Sequence, residues 1–282
     1  MLSFISTDIG ALWMTGWIFT LLLMSFVWLL YKYLRNAGVV DIFWAFGFSG
    51  LAGVYFYFGD GWIPRKILLA AMVILASVRL TWYLYTRFRH EHPVEDPRYT
   101  SMRGMWGAQD DVLFLVIYWF QGAVMSLISL PFVFAMSNTT VGFSGWDVMG
   151  AVIWLLGFVG EAVADTQLSH FKKDPANHGK TCRTGLWSVS RHPNYFCEWL
   201  MWVGYFVVSF SIPAAITSAW WGVFSPLLML LLLTKFTGIA ATEARAIQSR
   251  SDYADYQKTT SPFIPWFPKH SMSALERPDL ER

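Results

Sequence analysis

Seven apolar runs, each long enough to cross a bilayer of about 30 Å, dominate this sequence. Of its 282 residues, 55% are hydrophobic and 14% are charged, which is too apolar for a soluble domain of this length. The sequence therefore predicts an all-α integral membrane protein with seven transmembrane helices. The runs lie at Ile9–Tyr33, Val39–Phe58, Lys66–Tyr85, Val112–Met136, Trp146–His170, Asn194–Phe210 and Trp221–Ala241.

Lysine and arginine are distributed unevenly between the loops that join these runs. Arg65 and Lys66 lie on one side, and Arg79 and Lys235 fall within runs. Every other Lys and Arg belongs to the opposite side. The positive-inside rule then predicts an outside N-terminus and a cytoplasmic C-terminus, with the substantial polar loops facing the cytoplasm.

The remaining composition sets the expected domain organisation and partners. We expect one membrane domain over residues 1–268, followed by a polar tail at 269–282. A formal net charge of +2 indicates no nucleic-acid partner. Cys182 and Cys197 are interpreted as packing residues, so neither a disulfide framework nor a metal site is predicted. The oligomeric state stays open.

The signature of the chain is Gly-Leu-Trp-Ser-Val-Ser-Arg-His-Pro-Asn-Tyr-Phe-Cys-Glu, residues 185–198, at the start of the sixth run. Pro193 suits the first position of a helix, because its missing N–H costs nothing there and its φ is already helical. Asn194 and Glu198 then lie one turn apart on one face. Because a carboxylate is costly to bury in lipid, Glu198 is expected to face a polar cavity or a partner.

Polar groups on the fifth run and around the signature favour a nucleotide ligand. Glu161 and Asp165 lie one turn apart and would accept hydrogen bonds from amide or ribose groups. Cations and open N–H groups at the start of a helix would contact its phosphates. The alternative is that these groups pair with one another between helices. The cationic candidates are Lys172, Lys173, Arg183, Arg191 and His192.

Two further regions carry candidate residues. Asp41 opens the second run, where it would either pair with Arg79 or serve a substrate cavity as a proton source or hydrogen-bond donor. The loop from 87 to 103 is either a solvated loop or a cap that uses Arg98 and Tyr99. After the last run, Glu243, Arg245 and the short segment with Tyr253 and Tyr256 would close a pocket or anchor at the interface.

Together with Asp165 upstream and an Asp-Tyr … Ile-Pro ending at 255–265, the signature resembles the steroid 5α-reductase superfamily. It resembles more closely a bacterial branch labelled as a domain of unknown function. The resemblance covers residues 145–268 well and the first half loosely. Its Arg-His-Pro-Asn-Tyr core is shared by NADPH-dependent sterol or steroid reductases and isoprenylcysteine-type membrane methyltransferases.

The resemblance implies roles for particular residues. Asn194 and Glu198 would contact the nicotinamide side of NADPH, and Asp41 would take the place of a substrate-facing glutamate. The tyrosine that accompanies this glutamate falls near Ala76, so Tyr83 or Tyr99 would have to replace it. The candidate catalytic residues are Asp41, Arg79, Tyr83 and Tyr99. The candidate cofactor-binding residues are Glu161, Asp165, Lys172, Lys173, Arg183, Arg191, His192, Asn194, Tyr195, Glu198, Glu243 and Tyr256.

Three functions follow as alternatives. The first is NADPH-dependent reduction of an activated C=C bond in a steroid-like or other unsaturated lipid, in a bacterial inner membrane with the cofactor on the cytoplasmic side. The second is a lipid or prenylcysteine methyltransferase that uses S-adenosylmethionine. The third is a non-catalytic lipid-binding protein. Since no Gly-x-Gly-x-x-Gly fingerprint is present, a Rossmann-type cofactor site is not expected.

Overall fold

A computed structural model describes residues 8–210, 219–236 and 238–268, and within these ranges every regular element is helical. The predicted all-α class is confirmed for this part of the chain. The expected polar tail at 269–282 lies outside it. The α-helices are α1 (Ile9–Leu34), α2 (Val39–Phe58), α3 (Ile63–Glu91), α4 (Pro97–Trp106), α5 (Asp110–Ile128), α6 (Leu130–Ser137), α7 (Gly145–Lys173), α8 (Pro193–Ser209), α9 (Phe224–Leu231), α10 (Ile239–Ser249) and α11 (Tyr253–Thr259).

Five helical segments are long and apolar enough to cross a membrane, and they correspond to the first five predicted runs. Helix α8 has 17 residues, and Trp220–Phe236, which contains α9, is a further short apolar segment. An integral membrane protein is therefore supported, while the seven-span count and the orientation stay predictions. The five segments are Ile9–Leu34, Val39–Phe58, Ile63–Glu91, Pro97–Ile128 and Gly145–Lys173.

The fourth predicted run is not one continuous helix. Helix α5 ends at Ile128, and α6 starts at Leu130 with Pro131 in its first turn. Proline has no N–H to donate and its ring clashes with the carbonyl four residues earlier, so α5 cannot continue through this point. The prediction of a single helix over 112–136 was wrong because it counted hydrophobicity and ignored the proline.

The chain divides into two compact units. The first comprises residues 1–152 and 203–226, and the second comprises residues 153–202 and 227–282. The expected single domain over 1–268 stays a prediction.

In the first unit, α4 is held in place by an arginine hub that the sequence did not reveal. Arg103 donates to Glu95 at 2.9 Å, to Asp110 at 2.6 Å and to the hydroxyl of Tyr31 at 3.0 Å. Glu95 in turn accepts from the backbone N–H of Ala37 at 2.6 Å. These bonds fix α4 against the chain around α1 and α5, and so they position the side chains at the start of α4.

A second arginine of this unit is fully buried. The Arg65 Nε donates to Asp147 Oδ1 at 2.8 Å, and both side chains have no solvent-exposed surface. The guanidinium also donates to the carbonyls of Thr140 at 2.9 Å and Gly142 at 2.7 Å. Because each charge has partners at this depth, the desolvation cost is offset, and the connection before α7 is tied to α3.

In the second unit, two glycines of α7 let α8 approach closely. A Cβ at Gly157 would lie 2.6 Å from the carbonyl oxygen of Cys197, and one at Gly160 would lie 2.7 Å from the Cys197 sulfur. Small residues at such an interface allow two backbones to pack together. The contact places the polar residues of α7 beside those at the start of α8. Cys182 and Cys197 are both buried, as expected of packing residues.

Candidate functional site

The signature segment is fixed by α7 before α8 begins. The side chain of Gln167 accepts a hydrogen bond from the Leu186 N–H at 2.9 Å, and the Trp187 indole donates to the Ala164 carbonyl at 2.9 Å. Gly185 has a φ of +59°, a conformation that glycine adopts without strain. Helix α8 then starts at Pro193, as the sequence predicted.

Asn194 is the most informative side chain in this region. Its amide Nδ2 donates to Asp165 on α7, with an N–O distance of 3.4 Å. Its Oδ1 is buried, and among the described residues no group donates to it. A buried carbonyl oxygen without a donor costs free energy, so this atom is suited to a ligand that brings an N–H or O–H group.

The other acceptors of the candidate cofactor site belong to the same two helices. Glu161, which is 6% exposed, and Asp165 lie one turn apart on α7. Glu198 lies one turn beyond Asn194 on α8 and is half-buried. The packing of α7 against α8 brings Asn194 and Asp165 of this set into contact. Such a set can bind amide, ammonium or hydroxyl groups.

Three of the predicted cations are exposed. Lys172 and Lys173 lie in the last turn of α7. Arg183 donates to the backbone carbonyl of Asp252, and its guanidinium lies over the ring of Tyr256, 5.4 Å from the centroid. These side chains reach solvent and can turn towards an anionic ligand.

Arg191 is different, since its donors are directed into the protein. Its Nε and Nη2 donate to the two oxygens of Glu243 at 2.7 and 3.3 Å. Its Nη1 donates to the carbonyls of Gln257 at 2.8 Å and Thr260 at 2.9 Å. The pair is nearly buried, with 10% and 14% of the two side chains exposed. The sequence placed Arg191 beside an anion but did not identify Glu243 as that anion.

Glu243 lies at the centre of a hydrogen-bond network. Burial by itself would raise the pKa of its carboxyl, but hydrogen bonds from His192, Arg191 and Gln257 outweigh it and lower the pKa to about 2. His192 Nε2 lies 3.2 Å from the carboxylate, and its ring stacks on Tyr195 with the two planes 6° apart. Glu243 therefore stays charged at all physiological pH values.

The C-terminal strap, defined as residues 250–266, crosses the signature segment. The backbone N–H of Arg191 donates to Ser261 at 2.8 Å, and that of Trp266 donates to Val189 at 2.9 Å. The hydroxyl of Ser190 donates to the Phe263 carbonyl at 2.8 Å. The strap is thereby fastened to the residues just before α8.

The Tyr256 hydroxyl is directed into this strap contact. It donates to the carbonyls of Trp187 and Ser190, the second at 3.1 Å, and the residue is 2% exposed. Burial raises the pKa of this phenol above its usual value. Tyr256 was predicted to bind the cofactor, and the structure places its hydroxyl on the signature backbone. Asp252, which accepts from Thr181 at 2.6 Å, was missed by the sequence interpretation. Its place just before helix α11 was the one available signal.

In the first unit, Asp41 lies with residues of α4. The Tyr99 hydroxyl donates to Asp41 Oδ1 at 2.7 Å, and Arg98 Nη2 donates to Asp41 Oδ2 at 2.9 Å. Arg98 also donates to Asp96, the residue that caps α4. The Arg98 and Asp41 side chains are 37% and 32% exposed. Of the two tyrosines considered as proton donors, the structure places Tyr99 against Asp41.

A small open pocket, about 30 Å³, adjoins this carboxylate. Its polar lining includes Asp41, Arg87, Glu91 and Asp96. Of the other catalytic candidates, Arg79 is half-buried in α3, and Tyr83 lies one turn further along α3 with 58% of its surface exposed.

Comparisons with known proteins identify the family of the chain. A family model described as "Protein of unknown function (DUF1295)" matches residues 27–260. An uncharacterized protein of Schizosaccharomyces pombe is 25% identical over 275 residues, which are 89% of this chain and 78% of that protein. A second uncharacterized protein of the same yeast is 32% identical over 98 residues, which are 29% of this chain and 34% of that protein.

One relative has an activity in its name. Probable O-methyltransferase ustE of Ustilaginoidea virens is 28% identical over 137 residues, which are 46% of this chain and 42% of that protein. The match thus spans less than half of the fungal protein. No solved structure matches the chain.

Proposed function

We propose a function that starts from the family of the chain, which belongs to the DUF1295 family of steroid 5α-reductase-like proteins. The proposed function is that of a membrane enzyme that uses NADPH to reduce an activated C=C bond of a steroid-like or other unsaturated lipid. In this proposal the N-terminus is outside and the cofactor is bound from the cytoplasmic side, where the positive-inside rule places the polar loops. The bacterial inner membrane is the proposed location.

The observation that carries the proposal is the buried Asn194 Oδ1, which receives no hydrogen bond from the described residues. The carboxamide N–H of a nicotinamide would satisfy it, and this atom together with Asp165 and Glu198 would hold the nicotinamide end. The carboxylates of Glu161 and Asp165 are of a type that suits ribose hydroxyls.

Phosphate groups require cations, and the exposed ones supply them. Lys172, Lys173 and Arg183 are exposed cations that would bind the phosphates of a dinucleotide by charge-assisted hydrogen bonds. His192 and Tyr195 would support the first turn of α8 through their ring stack. When bound, NADPH supplies a hydride, and the protein contributes orientation and electrostatics.

The proposed proton-handling group is the Asp41–Tyr99 pair of the first unit. The tyrosine hydroxyl donates a hydrogen bond to Asp41 Oδ1, and Arg98 donates to the other carboxyl oxygen. With a substrate carbonyl oxygen in place of Asp41 Oδ1 as the acceptor, the hydroxyl would polarise that carbonyl and pass its proton to it. Arg79 and Tyr83 remain the less favoured candidates on α3.

Cofactor binding by the purified protein in detergent tests this function. NADPH, NADH and S-adenosylmethionine would each be titrated against the wild type and two variants, Asn194→Ala and Asn177→Ala. The second is a control that removes an amide which donates to the Phe171 carbonyl. We expect NADPH to bind the wild type and the control, with binding at least about tenfold weaker in Asn194→Ala. Equal affinity in all three proteins would contradict the assigned site, and a wild type without NADPH binding would contradict the reductase.

A methyltransferase is the second candidate, favoured by the partial match to the protein named as an O-methyltransferase. S-adenosylmethionine carries hydroxyl and ammonium groups for the same acceptors but no phosphates. Its binding should therefore be insensitive to Lys172→Gln and Lys173→Gln, whereas NADPH binding should weaken and lose part of its salt dependence. The two candidates are separated by this one comparison.

A further inference from the structure

The signature arginine has more protein partners than an anion-binding residue needs. Four hydrogen bonds from its guanidinium end on Glu243 and on two carbonyls at 257 and 260. A guanidinium has five N–H donors, so little of its capacity is left. The Arg191 side chain is 10% exposed, and the groups that bind its guanidinium belong to the protein itself.

Glu243 lies on α10, and the two carbonyls, at 257 and 260, belong to the strap. Arg191 itself lies just before the first turn of α8. The backbone reinforces the same contact, since the N–H groups of Arg191 and Trp266 pair with the carbonyls of Ser261 and Val189. The strap is therefore joined to the chain two residues before Pro193 and three before Asn194. We therefore expect a displacement of the strap to change the position of Asn194.

We propose that Arg191 and Glu243 are positioning residues that fasten the C-terminal strap to the signature segment, and that strap docking builds the Asn194 end of the ligand site. Arg191 then acts on the ligand through the position of α8 and makes no direct contact with a phosphate. This inference rests on the proposed cofactor site and assigns the strap as a part of it. Binding of the cofactor and docking of the strap are consequently linked, and each favours the other.

In the rival role, Arg191 binds a phosphate of the ligand, and Glu243 takes the place of that phosphate when no ligand is bound. The two roles make opposite predictions for one substitution. In Glu243→Gln the side-chain shape is retained but the charge is lost. A phosphate-binding arginine would be released from its competitor, and NADPH would bind more tightly. A positioning arginine would lose the charge-assisted bonds that hold the strap, and NADPH would bind more weakly.

The experiment combines hydrogen exchange with ligand titration on the full-length protein in detergent. Exchange is followed in peptides that contain the N–H groups of Arg191 and Trp266, without ligand, and affinities are measured for NADPH and S-adenosylmethionine. For Glu243→Gln we expect exchange at both amides about tenfold faster or more, and ligand affinity about tenfold weaker or more. Lys258→Gln is the matched control, because it breaks an exposed ion pair of the same strap and should change neither quantity.

A conservative variant separates positioning from direct contact. Arg191→Lys retains the charge but not the planar fork, so it should leave the strap loosened and ligand affinity low. A phosphate-binding role predicts instead that lysine largely restores affinity. Tighter binding in Glu243→Gln, rescue by Arg191→Lys, or faster exchange without any loss of affinity would each overturn the inference. If the wild type binds neither ligand, the proposed function fails. Hydrogen exchange alone then tests whether Glu243 holds the strap, and unchanged protection of the two amides in Glu243→Gln would overturn that role.

Discussion

Two arginine–carboxylate pairs, one in each unit, have similar geometry and different surroundings. Arg98 reaches Asp41 at 2.9 Å in the first unit, and Arg191 reaches Glu243 at 2.7 Å in the second. About a third of each side chain in the first pair is exposed, whereas the second pair is nearly buried. Distance alone therefore does not distinguish a pair that holds the fold from one that can exchange partners.

The difference lies in what else each pair touches. Arg191 is bonded to strap carbonyls as well as to its carboxylate, so any new ligand would have to replace several bonds. Asp41 borders an open pocket and accepts from a tyrosine hydroxyl, and a substrate oxygen could take the place of Asp41 as the acceptor of that bond. This contrast is the basis for our proposal that the Arg191–Glu243 pair serves structure and that Asp41, paired with Arg98, serves chemistry.

Among the substitutions in these two pairs, removal of Arg191 should have the largest effect on stability. Arg191→Ala leaves Glu243 charged and nearly buried without its main partner, which costs about 3–5 kcal/mol. Thermal or denaturant unfolding in detergent measures the loss. A change of less than about 1 kcal/mol would show that the pair is effectively solvated, and the contrast between the two pairs would fail.

A larger side chain at the contact between α7 and α8 should lower stability by nearly as much. In Gly157→Ala the new methyl group would lie 2.6 Å from the Cys197 carbonyl, so α8 must shift, at a cost of about 1–3 kcal/mol. Cofactor affinity should fall with it, because α8 carries Asn194. Gly53→Ala is the control: its Cβ meets nothing within 4 Å, and the helix should be unchanged or slightly stabilised. An equal response of both variants would contradict close packing as the cause.

Acid should destabilise the second unit through protonation of Glu243. Because the pKa of Glu243 is lowered from 4.5 to about 2 on folding, its contribution is fully present above pH 4.5 and is lost as the pH falls towards 2. We expect a loss of about 1–2 kcal/mol across that window, after allowance for solvent screening. Unfolding measured from pH 6 to pH 3 should show this slope in the wild type and not in Glu243→Gln. An identical slope in both proteins would assign the acid sensitivity to another group.

The exposed pair should affect stability least. Arg98→Ala removes a partly solvated ion pair and should change the unfolding free energy by less than about 1 kcal/mol. Turnover of a lipid substrate should nevertheless fall, and Tyr99→Phe should lower it by about 100-fold or more if this hydroxyl donates the proton. Normal turnover in Tyr99→Phe would remove the Asp41–Tyr99 pair from the mechanism.

Local features of the sequence predicted part of this structure correctly. The start of α8 at Pro193 and the shared face of Asn194 and Glu198 follow from proline geometry and helical periodicity. The five long apolar segments follow from hydrophobicity. The break between α5 and α6 was also readable from Pro131, but the apolar run concealed it.

The partners of charged residues were not predictable in the same way. Several carboxylates were available to Arg191, and Glu243 was selected by tertiary contacts across 52 positions of the chain. Tyr99 reaches Asp41 from α4, which the Arg103 hub joins to the chain around α1 and α5. Such choices depend on packing between distant segments, which periodicity and composition do not encode.

We propose that the acceptors of α7 and α8 bind a nicotinamide cofactor, and the decisive measurement for this claim is hydrogen exchange of the wild-type protein with and without NADPH. We predict that NADPH slows exchange in peptides covering residues 161–173 and 191–198 and in the C-terminal strap. Asn194→Ala should remove most of this protection. Protection confined to the first unit, or no change at saturating NADPH, would contradict the claim.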